Sequence, residues 1–324
     1  MFRRLMAVAA AAAVCLLPGS GLGASASGAT LACGPATLAT LTALDSSVAT
    51  NIYRGELGGS ETEIDLSHVG TSAALLAAVA ADNQASTLTV VKQLVYHPFW
   101  HIVRLRVLDA AGKLLADVGG AYVIAPVSRP LKQNGRVIGS FVMSVQDDTG
   151  FTKLESRAVG DPIAIYIGGR RILDLGADFP LAQPTSARLT LDGTSYGLVA
   201  DTYNAFPTGT LVAVIAVPAP TLVQESQSCA SVSLAETERV VKRIAARFDP
   251  LAARYGNFVE TVHADTGAVV VVRIGLRAIA GSEGPGPPAL PQTGPVSYQG
   301  KIWSVFSFAP TPPARIFVLV PQAP

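Results

Sequence analysis

The chain has 324 residues, a formal net charge of +1, 49% hydrophobic residues and 15% charged residues. Near-neutrality excludes an electrostatic binder of nucleic acid, and the apolar content excludes a disordered chain. The length allows two domains.

Arg3 and Arg4 precede an unbroken apolar run over residues 5–17, Pro18-Gly19-Ser20 breaks it, and Ala24-Ser25-Ala26 is a small-x-small cleavage site. That order predicts a signal peptide over residues 1–26, shorter in its apolar part than the ~20 residues a spanning helix needs. The expected product is secreted, soluble and extracytoplasmic, with no transmembrane helix in the mature chain. Cys15 leaves with the signal, so Cys33 and Cys229 remain. An even count in an oxidising compartment predicts a disulfide between them, two unpaired thiols being the alternative. Closing so long a loop favours the folded state by ~4–5 kcal/mol in the chain-entropy picture. A lipid anchor through Cys33 stays open.

Leu38, Leu41, Leu44, Val48 and Ile52 recur at helical spacing, predicting an amphipathic helix over residues 35–54 that Gly55, Gly58 and Gly59 end. A second helix is expected over 73–81. Strand signals follow. In residues 102–108, Val103, Leu105 and Val107 alternate with Arg104 and Arg106. Asp109-Ala110-Ala111-Gly112 turns the chain into a strand at 113–118, and residues 121–127 form a third apolar run. Asn134-Gly135 is a two-residue hairpin signal leading into a strand over 136–145, where Gly139 marks a bulge or a close approach. Asp147-Asp148-Thr149-Gly150 stops that strand. A short helix over 152–159 and a strand over 162–167 come next.

Two similar arrays then appear. Ile167-Gly168-Gly169-Arg170, Ser195-Tyr196 and an apolar strand ending at Pro218 are matched by Ile274-Gly275-Leu276-Arg277, Ser297-Tyr298 and an apolar strand ending at Pro321. This predicts two related units with a boundary near 218–230. In the second, Ser233 with Glu236 reads as a capping box, and Val240, Val241, Ile244 and Phe248 as a buried helical stripe. Strands over 258–263 and 268–274 are expected to pair across Asp265-Thr266-Gly267. The Pro/Gly-rich stretch 282–295 is expected to be an exposed loop. Helices followed by antiparallel meanders define an α+β chain.

The run Val103-Arg104-Leu105-Arg106-Val107-Leu108-Asp109-Ala110-Ala111-Gly112-Lys113-Leu114-Leu115, then Ala125-Pro126-Val127, then Gly135-Arg136-Val137-Ile138-Gly139-Ser140-Phe141-Val142 follows a long helix. In this order the motifs resemble the extracellular Cache (PAS-like, PDC-type) sensor domains of bacterial receptors. The resemblance covers about residues 36–220, with 256–321 like a second, abbreviated copy. It implies a long N-terminal helix packed on a PAS-like antiparallel sheet over residues 33–220, then a smaller α+β unit with related strands over 229–324. It also implies ligand recognition without chemistry, no cofactor, and a signal handed to a membrane receptor or kinase partner.

Tyr96-His97-Pro98-Phe99-Trp100-His101 is the densest aromatic and histidine cluster. Tyr96, His97, Trp100, His101, Arg104 and Tyr122 are the expected ligand-binding residues: aromatic walls, with Arg104 pairing a ligand carboxylate. Packed aromatics at a strand entry are the competing account. His97 and His101 lie four apart, but Pro98 opposes a helix there and no third ligand is evident, so no metal site is expected. Asp147-Asp148 reads as a helix-capping turn rather than a cation site. Leu290-Pro291-Gln292-Thr293-Gly294 matches a sortase motif, but no apolar span and basic tail follow it. No G-x-S-x-G, H-E-x-x-H, Walker or C-x-x-C motif occurs. A non-catalytic binding module is therefore expected. A cell-surface interaction module without a small ligand, or an unrecognised secreted hydrolase, remain as alternatives.

Overall fold

The computed structural model describes residues 32–206, 209–246, 255–310 and 313–322. The signal segment 1–26, with Cys15, and Phe248 lie outside them. After a 3-10 turn at Gly34–Ala36, the helices are α1 (Thr37–Gly58), α2 (Ser60–Thr71), α3 (Ala73–Ala80), α4 (Gln84–Val95), α5 (Asp148–Ala158), α6 (Leu222–Ser226), α7 (Cys229–Ala245) and α8 (Tyr255–Thr266). The strands are β1 (Arg104–Asp109), β2 (Leu114–Gly119), β3 (Val123–Ile124), β4 (Val127–Gln133), β5 (Arg136–Ser144), β6 (Gln146–Asp147), β7 (Ile163–Ile167) and β8 (Arg170–Leu175). They continue as β9 (Arg188–Leu191), β10 (Thr194–Phe206), β11 (Gly209–Pro218), β12 (Val269–Ile274), β13 (Arg277–Gly281), β14 (Thr293–Tyr298), β15 (Lys301–Phe308) and β16 (Ala314–Pro321).

One strand order recurs three times. The first sheet runs β2-β1-β5-β4, the second contains β8-β7-β11-β10-β9, and the third runs β13-β12-β16-β15-β14, every pairing antiparallel. Helices α4, α5 and α8 precede the first strand of each. The first sheet has no third-strand partner at its edge, because β3 leaves it to pair with β10 and β6. The chain is thus α+β, with a long N-terminal helix and antiparallel sheets, as the sequence implied. The repeat is real but shifted from its sequence alignment. The turn Asp192-Gly193 (φ +48° and +78°) joins β9 to β10, and Gln299-Gly300 (φ +51° and +74°) joins β14 to β15. Tyr298 therefore matches Leu191, and Trp303 matches Tyr196. The earlier hairpins match as aligned, Ile167 pairing Arg170 and Ile274 pairing Arg277.

Each sheet buries one face against helices. On the first, Leu66, Val69, Leu75, Val79, Val91 and Leu94 of α2–α4 cover Leu105, Val107, Phe141 and Met143. Each such side chain removed from water contributes ~1.5–3 kcal/mol. Gly139 is a close approach, since a side chain there would strike the Leu108 carbonyl and Val79. Helix α1 is central. Leu41, Ala49 and Tyr53 face the second sheet, where the Tyr53 ring stacks on Tyr203 at 4.6 Å. Leu44, Val48 and Ile52 join the core formed by α7, α8 and the third sheet. The single apolar stripe read from the sequence is in fact shared between two cores.

Three expectations are corrected. Residues 258–263 belong to α8, not to a strand. Phe258, Val259 and Val262 are buried at helical spacing. Helix α7 begins at Cys229 and is capped by the Ser228 side chain, which accepts from the Ser231 amide at 3.2 Å, so Ser233 lies inside the helix. Of the stretch 282–295, residues 293–295 open β14, and the rest is a loop that folds back over the third sheet with Pro287 buried. Helices α2 and α4 had no counterpart in the sequence reading. Cys33 and Cys229 form the disulfide, Cα atoms 4.6 Å apart, tying the start of α1 to the start of α7. Among the described residues no helix is long and apolar enough to cross a membrane.

Candidate functional site

The α1–α2 junction, the entry to β1, β6 and α5 enclose a cleft of about 380 Å³. Glu56 comes from the last turn of α1 and Glu61 from the first turn of α2. His101 and Val103 come from the segment leading into β1, Gln146 and Asp147 from β6, and Lys153, Leu154 and Arg157 from one side of α5. Helix α5 starts here because Asp147 caps it, its carboxylate accepting from the Gly150 amide at 2.6 Å. The helix-capping account of Asp147-Asp148 therefore holds. A larger hollow of about 690 Å³ adjoins, sharing Glu56 and Leu154 and lined further by Asn51, Arg54, Asn257 and Glu260 of α1 and α8.

Charges of both signs face the smaller cleft. His101 Nδ1 lies 2.9 Å from Glu61 Oε1, and the His101 amide donates to Asp65 Oδ2 at 3.0 Å. Gln146 Nε2 donates to Glu56 Oε1 at 3.5 Å. Burial raises the pKa of Glu56, a shift the Gln146 hydrogen bond opposes and the Glu61 charge reinforces. Lys153 and Arg157 are exposed and make no ion pair among the described residues.

The six residues singled out from the sequence disperse. His101 lines the cleft. Trp100 is stacked between His68 (4.5 Å) and His97 (3.9 Å), so those rings are satisfied by one another. Tyr96 is 71% exposed and its neighbour Phe99 88% exposed. Tyr122 is half-buried before β3 and lines neither hollow. Arg104 forks onto Asp117, with Nε–Oδ1 at 2.9 Å and Nη2–Oδ2 at 3.0 Å, while Nη1 donates to the Gly120 and Ala121 carbonyls. The carboxylate assigned to a ligand is thus the chain's own. Glu56, Glu61, Lys153 and Arg157 carry no signal in sequence: the first two fall in the Gly-rich stretch read as the end of a helix, and the last two look like part of a solvated helix face.

A second polar centre lies under α1. Asp45, Asp161 and Glu236 bring carboxylate oxygens within 4.8 Å of one another. Arg239 Nη2 stands 3.1 Å from Asp161, 3.8 Å from Asp45 and in contact with Glu236, supplying the cation this cluster requires. Burial, then repulsion from Asp161, pushes the Asp45 carboxyl up to about 9. The unfolded chain releases that proton near pH ~4. Between these values the folded state binds the extra proton, so stability falls as pH rises, by ~1.4 kcal/mol per unit for one such carboxyl. Thermal unfolding from pH 5 to 9 should show this decline in the native chain. It should be flatter in Asp45→Asn, which keeps the neutral shape; an equal slope in both would count against a protonated Asp45.

No protein-family model and no curated protein matches the chain. Solved structures similar to it include the periplasmic domain of Vibrio cholerae LuxQ (9% identity, TM-score 0.34, covering 56% of this chain and 98% of that one). Another is the sensor domain of the V. cholerae histidine kinase DctB (11% identity, TM-score 0.33, 56% and 98%). A third is the ligand-binding domain of the Pseudomonas fluorescens chemoreceptor CtaA in complex with L-isoleucine (11% identity, TM-score 0.31, 56% and 92%).

Proposed function

We propose that this chain is a secreted, extracytoplasmic, non-catalytic binding module, and that a small zwitterion occupies the cleft between the α1–α2 junction and α5. The observation that carries the reading is the separation of charge around 380 Å³. Glu56 and Glu61 lie on the α1–α2 side, and Lys153 and Arg157, which form no ion pair among the described residues, lie on α5. A ligand with an amine and a carboxylate a few bonds apart, such as an α-amino acid, answers both sides at once. Its carboxylate meets Lys153 and Arg157, and its amine meets Glu56. The walls belong to α1, α2, β6 and α5, so occupancy would bias how the central helix sits against its neighbours. That is the link through which a receptor or kinase partner would read binding.

A thermal-shift screen with amino acids, organic acids and purines tests this. At a hundredfold excess over Kd the stabilisation is ~2.7 kcal/mol, a rise on the order of 5 °C for a chain of this size. The rise should appear with an amino acid and shrink in Lys153→Ala and in Glu56→Gln. No response across the library removes the small-ligand reading. The exposed Tyr96 and Phe99 would then favour the second one, an interaction module docking a protein through its aromatic corner.

A further inference from the structure

The third sheet carries two arginines on one face, and neither forms an ion pair among the described residues. β12 and β16 pair in register with Arg273 directly opposite Arg315. Like charges so placed destabilise an antiparallel pair. Arg273 is only 6% exposed, yet it makes no ion pair among the described residues. Its Nη1 donates to the Pro288 carbonyl at 3.1 Å, and its Nη2 to the Pro285 carbonyl at 3.2 Å and to that of Pro287. Its Nε finds no acceptor. Arg315 Nη1 donates only to Ser307 Oγ, at 3.2 Å. Ser307 pairs with Phe317 and so belongs to the same face, where the Phe317 ring lies 5.9 Å from the Arg273 guanidinium. Burying a guanidinium without a counter-anion is costly, and carbonyl dipoles offset that cost only in part.

The acceptors come from the segment between β13 and β14. It is a strap of prolines and glycines anchored where the Ser282 amide donates to the Val270 carbonyl at 3.0 Å. Prolines bring carbonyls and no N–H, so the strap offers Arg273 oxygen and nothing else, much as an anion would. Gly286 (φ +67°) lies against Val271, where any side chain would clash. The close seat of the strap is thus written into its sequence.

We propose that Arg273, Arg315 and Ser307 form a binding site for the oxyanion of a small molecule, a carboxylate or a phosphate, and that the prolyl carbonyls of the strap stand in for that group until it arrives. Two arginines on cross-strand partner positions and a hydroxyl on the same face match the oxygens of such an anion, and the planar fork of arginine suits both carboxylate and phosphate. Binding must lift the strap from Arg273. This site is separate from the cleft at α5 and does not depend on the reading given to it.

The test is titration of the whole mature chain with malonate and with inorganic phosphate against sodium chloride at equal ionic strength. It is followed by calorimetry and by hydrogen exchange of the strap amides at Ser282, Glu283, Gly284 and Gly286. Saturable binding of one probe beyond chloride, with faster exchange in the strap, is expected. Malonate alone assigns a carboxylate ligand, and phosphate alone a phosphorylated one. Arg315→Gln, at a half-exposed position, should weaken binding roughly tenfold or more, as should Arg273→Gln. Lys132→Ala, at an exposed position on β4 of the first sheet, should bind the probe like the native chain. Binding no stronger than chloride, or unchanged in Arg315→Gln, overturns the proposal.

Discussion

Arg239→Ala is expected to cost about 3 kcal/mol of stability at pH 8, the low end of the range for breaking a buried ion pair, because Arg239 is itself 35% exposed. The side chain touches three acids on separate elements: Asp45 on α1, Asp161 in the link between α5 and β7, and Glu236 one turn before it on α7. It also donates to the Val159 carbonyl. Removing it leaves Asp161 and Glu236, 9% and 12% exposed, without their cation. Urea unfolding should show a lower midpoint with an unchanged slope. The loss should be smaller at pH 5, where Asp161, whose pKa burial also raises, can take up a proton. Arg239→Lys should recover only part of it, since an ammonium lacks the planar fork with which the guanidinium meets three acids. An alanine variant as stable as the native chain at both pH values would mean that α1 is held by its apolar faces alone.

What the sequence could reveal follows the range of each interaction. Hairpins are local. Asn134-Gly135, Asp109 to Gly112 and the two Ile-Gly turns lie where their residues place them. The long helix was legible from its period, but not the fact that Leu41 and Val48 face different sheets, because that depends on what packs on either side. Helix α4, with Thr87, Thr89, Val90 and Val91, lacks the composition of a helix; burial of Thr87, Val91 and Leu94 on the first sheet decides it. The same override, in the same direction, made α8 a helix. Polar groups were the least legible. Arg104 looked like a free cation in a strand of alternating period, and only the pairing of β1 with β2 sets Asp117 beside it. Glu56, Lys153 and Arg157 converge from α1 and α5, and nothing in either helix read alone marks them as neighbours.

Loss of the Cys33–Cys229 bridge is expected to be the largest single effect. The bridge spans a sequence separation of 196 residues, for which the chain-entropy relation gives ~5 kcal/mol. In a chain of this size that is a fall in Tm on the order of 10 °C. The site explains why so much rides on it. Cys33 is 6% exposed and opens the turn into α1, and its amide donates to the Gln227 carbonyl at 2.6 Å just before α7. The bridge fixes one end of the helix that both the second and third cores share, and the loop it closes contains every strand of the first two sheets. The double variant Cys33→Ala/Cys229→Ala and the native chain in reductant should lose the same amount. If the effect acts through the denatured state, the urea slope should rise as the unfolded ensemble expands. An unchanged slope with a large loss would instead place the effect in the native packing around Cys33. Native stability in reductant would show that the hydrogen bond to Gln227 and the apolar faces of α1 already suffice to hold that end.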